Sequence, residues 1–334
     1  MSNSSYEDDN MYNIPDDVSE LLHVVYHCIY PVIIILGLIS NVLCLIVATR
    51  KNLQKNNITR YLKFAFSIDL FGNILTIPTV AIEGCTYSSY AEAVYYAHFG
   101  WSAITTLRIL THYTLMWISY DRFLAVWYPN RYKKINTAII VKKRLIIMTI
   151  LISILYIPFD SMAEVRCIKG SPEGSGCTVW LSMPVYKVMS NEEKYTLFKP
   201  IKVICALVFS VIPGLLIVFF SVALGYGLVK KEKSTKMSRT IETNYYRIIT
   251  VLVLNISCLM ISSPLQLLYS NYILGSSHCY MGFGMEAAIA LLNSLLSLWS
   301  AVNGLVVIYI NKDYLNELVH IFKPKITVHT PGKL

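Results

Sequence analysis

Charge is what this chain has least of. Only 15% of its 334 residues are Asp, Glu, Lys or Arg, while 55% are hydrophobic. A soluble domain carries roughly 25% charged residues. That leaves too little charge to cover a surface in water and argues against an apolar soluble enzyme. Internal repeats are also lacking, which weighs against a transporter built from inverted halves. The alternating pattern of a membrane barrel is missing. The first 49 residues contain no Lys or Arg, but hold six acids, Glu7, Asp8, Asp9, Asp16, Asp17 and Glu20. This start has no basic and apolar cleavable signal, so the first apolar run is expected to act as its own insertion signal.

What the chain has is seven long apolar runs, over about 26–49, 61–82, 93–120, 145–162, 203–229, 248–274 and 286–310. Each is near the roughly 20 residues that cross a 30 Å hydrocarbon core. In lipid each backbone N–H and C=O must be satisfied within the segment, so these runs are expected to be helices. The fold class that follows is an all-α membrane protein, a seven-helix transmembrane bundle. Three parts are expected: a tail over 1–25, the bundle over 26–310, and a surface helix with a short tail over 311–334. The longest loop, about 163–202, contains Pro172, Gly174, Gly176 and Pro184 and is expected to be irregular.

Positive charge sorts into alternate loops. Arg50, Lys51, Lys55, Arg60 and Lys63 follow the first run. Arg131, Lys133, Lys134, Lys142, Lys143 and Arg144 lie between the third and fourth, and Lys230, Lys231, Lys233, Lys236, Arg239 and Arg247 between the fifth and sixth. The positive-inside rule then puts the N-terminus outside and the C-terminus in the cytoplasm of a multi-pass plasma-membrane protein. The net charge of +9 is a charge facing the inner leaflet rather than a nucleic-acid footprint. Asn3-Ser4-Ser5 is a glycosylation sequon in the outer tail. Asn57-Ile58-Thr59 also fits, but falls inside and is expected to stay bare.

In "WISYDRFLAVWYP" an acid and an arginine, Asp121 and Arg122, stand side by side where an apolar run ends. Taken alone, the pair is a marker of the membrane interface, with Arg122 reaching water, or an arginine held by its neighbouring carboxylate and released to a partner. Other residues are in step with it: Asn41 in "GLISNVLCLIV", Asp69 in "FAFSIDLF", Pro213, Pro264, and Asn303, Asn311 and Lys312 in "NGLVVIYINKDY". In this order on seven runs they resemble the rhodopsin-like G-protein-coupled receptors over roughly 26–322. Asp121-Arg122-Phe123 stands where that family has Asp/Glu-Arg-Tyr. The resemblance implies an outer ligand, an intracellular heterotrimeric G protein as partner, and Asp121, Arg122 and Asn303 as coupling and activation residues.

The departures are specific. Gly304 stands for the proline of the seventh-helix motif and Val307 for its tyrosine, with Tyr309 two residues late. Ser262 replaces the sixth-helix tryptophan, the fourth helix has no tryptophan, and Ala97 stands for the third helix's outer cysteine. The chain is a divergent member by this reading, and its switch is not expected to work in the usual way.

Asp69 is a carboxylate in mid-bilayer, where insertion costs about 2.5–3.5 kcal/mol. The resemblance implies a sodium ion near it, with Asn41, Thr111, Ser300 and Asn303 around it. The alternative is a hydrogen-bonded Asp69 that links helices. Arg108 lies 13 residues before Asp121, about 20 Å along a helix. It is either an internal partner of an acid such as Asp69 or a docking charge for an anionic ligand group. His112, one turn deeper, is expected in the core. The resemblance also places Ile104, Gln266 and Tyr269 in the ligand pocket. Ile104 stands where amine receptors carry an aspartate and Ser297 where opsins carry a lysine. Pro78 and the tyrosine-rich "CTYSSYAEAVYYAHFGW" resemble peptide receptors, although these aromatics also suit a membrane interface.

Five of the eight cysteines, Cys28, Cys85, Cys167, Cys177 and Cys279, fall outside, where disulfides form. The family's bridge joins the third helix to the second outer loop. Cys85 is the nearest substitute for the missing cysteine, with Cys167 or Cys177 as partner, and Cys28 with Cys279 is a second candidate pair. Cys44, Cys205 and Cys258 are expected to be packing. "DYLNELVHIF" reads as an amphipathic helix on the lipid surface. The rivals to a signalling receptor are a seven-helix ligand-gated channel, whose topology would be opposite, and a chemosensory or receptor-like protein that does not signal. An intramembrane enzyme would need clustered catalytic groups, and Asp69 is the only carboxylate in mid-membrane.

Overall fold

In a computed structural model of the chain, the described residues are 20–322, without 22, 55, 82–85, 88, 161–162, 170–184, 191–199, 202–203, 206, 235–282 and 311. Six of the seven apolar runs are helices there; the sixth, 248–274, lies outside the described residues. The helices are α1 (Tyr30–Ala48), α2 (Asn57–Ala81), α3 (Trp101–Trp127), α4 (Ala138–Asp160), α5 (Ile212–Ser234) and α6 (Phe283–Ile310). The last of these is the seventh apolar run. Wider π-helical turns precede α1, α3 and α5, at Val25–Ile29, Tyr95–Gly100 and Leu207–Val211. By length and apolarity alone, Val25–Ala48 and Leu207–Gly227 suffice to cross a membrane. A further helix, α7 (Lys312–Phe322), follows the bundle.

The helix faces are inverted relative to a soluble protein. On α1, Val32, Ile35, Ile39, Val42 and Ile46 are exposed, while Ser40 and Asn41 are buried. The same holds on α2, where Phe71, Ile74 and Ile77 face out and Asp69, Asn73 and Thr76 face in. Large apolar side chains at helical spacing on an outer face are stable against lipid and not against water.

α3 is the central element. It packs on α2, α4 and α5, while α1 packs on α2 and α6. One apolar cluster joins α2, α3 and α4 through Tyr61, Ile109, Leu110, Val141, Leu145 and Ile152. A smaller one joins α3 and α5 through Leu115, Met116 and Ile217. The α3–α5 seam continues into rings: Phe123 lies 5.5 Å from Phe220 between ring centres, and Trp127 Nε1 donates to the Ala223 carbonyl at 2.9 Å.

Two glycines set how closely α1, α2 and α6 approach. A Cβ on Gly304 would meet Cys44 Sγ at 2.9 Å, and one on Gly37 would meet Asn73 Nδ2 at 2.5 Å. α6 is continuous through Gly304. The departure from proline at this position is therefore a packing feature: a residue without Cβ lets α6 lie on α1 here without displacing Cys44.

Part of the second long loop is ordered, which corrects the expectation of an irregular segment. β2 (Ala163–Lys169) and β3 (Val185–Ser190) pair antiparallel, with Cys167 opposite Tyr186. The short β1 (Thr86–Tyr87) adds to β3, giving the order β1-β3-β2. "AEVRCIK" and "VYKVMS" are β-branched and aromatic enough for strands; the Gly and Pro residues that suggested irregularity lie between them.

At the end that carries Arg122, α7 docks under α1 and α2. Tyr314 is buried in a cluster with Cys44, Val47, Leu53, Ile58 and Phe66, and Leu318 and Ile321 pack against it. Burial pushes the Tyr314 phenol up to about 12. Asn52 donates to Glu317 Oε1 at 2.8 Å and fixes the polar side. Val319 and Phe322 stay exposed, as an amphipathic surface helix requires.

Candidate functional site

Among the described residues, two polar sites interrupt the apolar interior. One is a small cavity between α2, α3 and α6. Asp69 enters it from α2, Arg108, Thr111 and His112 from α3, and Ser300 and Asn303 from α6. Spacing explains this: Arg108, Thr111 and His112 are three and four apart and share one helix face, and Ser300 and Asn303 are three apart on theirs. Thr111 Oγ1 donates to Asp69 Oδ1 at 2.8 Å. Arg108 reaches across the bundle, and its Nη2 donates to Ser297 Oγ at 3.3 Å. Ser297 in turn donates to the Tyr30 hydroxyl at 3.4 Å, so a polar chain runs from α3 through α6 to α1.

Several buried oxygens of this region have no hydrogen-bond partner among the described residues: Asp69 Oδ2, Asn303 Oδ1 and Asn41 Oδ1. Asn41 is not in the cavity wall. Its Nδ2 donates to Gly37 O on its own helix at 2.9 Å. Its neighbour Ser40 donates across to the Ala301 carbonyl at 2.8 Å and ties α1 to α6. The expected grouping of Asn41 with Asp69 is thus not made, while Thr111, Ser300 and Asn303 join Asp69. Trp299 forms part of the wall. His112 is buried there.

The second site is at the far end of α3. Asp121 is fully buried, and its partner is not the adjacent Arg122. Arg144 Nη1 donates to Asp121 Oδ1 at 3.0 Å and to the Tyr61 hydroxyl at 3.2 Å. The Arg144 guanidinium also stacks on Trp117, with its carbon 4.6 Å from the ring centre. Three helices, α2, α3 and α4, thus meet at one buried carboxylate. Of the two readings of the Asp121-Arg122 pair, the one in which Asp121 holds Arg122 is not what the ion pair shows: it goes to Arg144. Arg122 is half-buried, and no ion pair to it is found among the described residues.

Arg144 was expected in a basic loop and lies instead in the second turn of α4, because α4 starts at Ala138, seven residues before the apolar run. A signal existed. Val141, Leu145, Met148 and Ile152 are buried at helical spacing, and Arg144 stands on the same face. Ser297 was likewise missed as a partner of Arg108.

Of the residues expected in a ligand pocket, Ile104 is buried on α3, and Gln266 and Tyr269 lie outside the described residues. So do Asn3, Cys85, Cys177 and Cys279. Cys167 lies on β2. Cys28 is an exposed free thiol, and Cys279, its candidate partner, is outside the described residues. Cys44 and Cys205 are buried and free, as expected of packing cysteines.

Helices apolar on their outer faces, a polar seam through the centre and a buried acid beside an arginine at one end define a multi-pass helical membrane protein. Residues 40–306 match the model of the 7 transmembrane receptor (rhodopsin family), and the chain belongs to that family. Members of the family are receptors that sit in the membrane and signal. No curated protein matches the chain.

Proposed function

We propose that the protein is a cell-surface receptor that passes the binding of an extracellular peptide to a heterotrimeric G protein. Its N-terminus lies outside and its C-terminus in the cytoplasm, by the charge asymmetry of the loops. Arg122 is the residue that meets the G protein. The observation that carries this reading is the pairing of Asp121 with Arg144: the carboxylate that would have restrained Arg122 is taken by another helix, and Arg122 stands half-buried beside it. A ligand drives such a protein only through its differential affinity for two states. The peptide class rests on Pro78 inside α2 and on the strands of the long outer loop, a rigid edge on which an extended chain can lie.

Two measurements test this. A G-protein recruitment assay across a peptide library should find an agonist. With that agonist, Arg122→Ala should reach the surface and bind while G-protein activation collapses. Full coupling by Arg122→Ala removes Arg122 from the role. A second reading, a receptor-like protein that does not signal, is favoured by the unbroken α6 at Gly304; recruitment of no G protein by the surface-expressed protein decides for it.

A further inference from the structure

The family resemblance puts a sodium ion beside Asp69. A hard cation is held by oxygen ligands, and by donor type the cavity offers them: the Asp69 carboxylate, the Thr111 and Ser300 hydroxyls and the Asn303 carbonyl. The charge does not fit. The Arg108 guanidinium enters the same cavity and carries a fixed positive charge. Among the described residues that line it, one carboxylate and one guanidinium leave the cavity neutral. A sodium ion added to them makes a buried site of net positive charge, which a low-dielectric interior disfavours strongly. The Thr111 hydroxyl already donates its proton to Asp69 Oδ1, so it needs no cation to complete that contact. The unpartnered oxygens Asp69 Oδ2 and Asn303 Oδ1 are acceptors, and the donor that suits them without adding charge is water.

We infer that Arg108 takes the place of the sodium ion: the cavity is a neutral, water-filled site that excludes alkali cations and is balanced by its own guanidinium. Arg108 is held for this role by Ser297, itself bonded to Tyr30. The cation that other receptors would gain from solution is supplied here by α3 and anchored to α6 and α1. Modulation by external sodium is lost, and the link between α2, α3 and α6 becomes permanent. The inference concerns the polar core and does not depend on which ligand or G protein the receptor uses.

The experiment uses the purified full chain in lipid nanodiscs, without ligand. Its thermal midpoint is measured in sodium chloride, potassium chloride and choline chloride at equal ionic strength. The wild-type midpoint should be the same in the three salts, and the ²³Na resonance should show no broadening beyond that of empty nanodiscs. A midpoint raised specifically by sodium overturns the inference. Arg108→Gln leaves Asp69 without its counter-charge and should gain a rise in midpoint with sodium that potassium and choline do not give. The gain should vanish in Asp69→Asn/Arg108→Gln. An Arg108→Gln protein indifferent to sodium shows that Arg108 is not what excludes the ion, and also overturns the inference. Arg108→Lys keeps the charge and should stay indifferent; a sodium response there counts against the charge argument. Should Arg108→Gln not fold, the wild-type and Arg108→Lys titrations still decide.

Discussion

Asp121 is the residue on which one end of the bundle turns. A buried carboxylate is stable only when paired and hydrogen-bonded, and Arg144 supplies both the charge and the bond. Removing one partner of a buried pair typically costs about 3–5 kcal/mol, because the other charge is left stranded. Arg144 retains some access to water, with 14% of its side chain exposed, which places Arg144→Met toward the low end of that range. The expected outcome is a clear drop in the thermal midpoint of Arg144→Met and a smaller one for Arg144→Lys, which keeps charge but loses the stack on Trp117. Asp121→Asn/Arg144→Met should be more stable than Arg144→Met alone, since no charge is then stranded. If the double variant melts below the single one, the pair is not the source of the loss.

At the scale of elements, the approach of α1 and α6 depends on Gly304. Its added Cβ would press on Cys44 Sγ, and overpacking of this kind costs about 1–3 kcal/mol. Gly304→Ala should lower the midpoint accordingly and Gly304→Val should lower it further. Cys44→Ala in the same chain should recover much of the Gly304→Ala loss; no recovery would place the strain elsewhere. Gly304→Pro, which would place the proline of the resembled motif, should be worse than Gly304→Ala, because it removes an N–H and adds a ring where Cys44 and Asn41 already stand. α7 makes a second test. Tyr314 is its anchor, and truncating a buried large aromatic costs about 3–5 kcal/mol. Tyr314→Ala should free α7, seen as faster cleavage of the C-terminal segment by protease while the bundle stays folded. Tyr314→Phe should keep most of the protection, since the packing remains.

For the whole molecule the ordering is by polarity. Among the described residues the outer helix faces are apolar and the buried polar side chains gather at the central cavity and at one end, so lipid and not water suits the outer faces. The direction of insertion is a property of the whole chain and follows from its basic loops. An epitope at the N-terminus should stain intact cells, and one at the C-terminus should stain only after permeabilisation. The opposite result would reverse the orientation and leave Arg122 on the wrong side for a G protein. Digestion with an amidase that removes N-glycans should shift the mobility of the wild type and not that of Asn3→Gln. Asn57 should remain bare, as its amide already donates to the Asn136 carbonyl.

Composition and periodicity by themselves determined the helical membrane class and the approximate place of each described helix, because apolar length is set by bilayer thickness and needs no tertiary information. The grouping of Asp69 with Thr111, Ser300 and Asn303 was implied by the family resemblance, and the structure brings the four into one cavity wall. Which arginine pairs with Asp121 was decided only by tertiary structure. Arg122 is adjacent in sequence, but successive helical residues point about 100° apart, and the arginine that meets the carboxylate comes from another helix. The role of Gly304 was decided the same way: its meaning is the distance to Cys44, a residue 260 positions earlier. So was the meeting of Arg108 with Asp69, because a sequence states that Arg108 is present but not that its guanidinium and the carboxylate of Asp69 open into the same space.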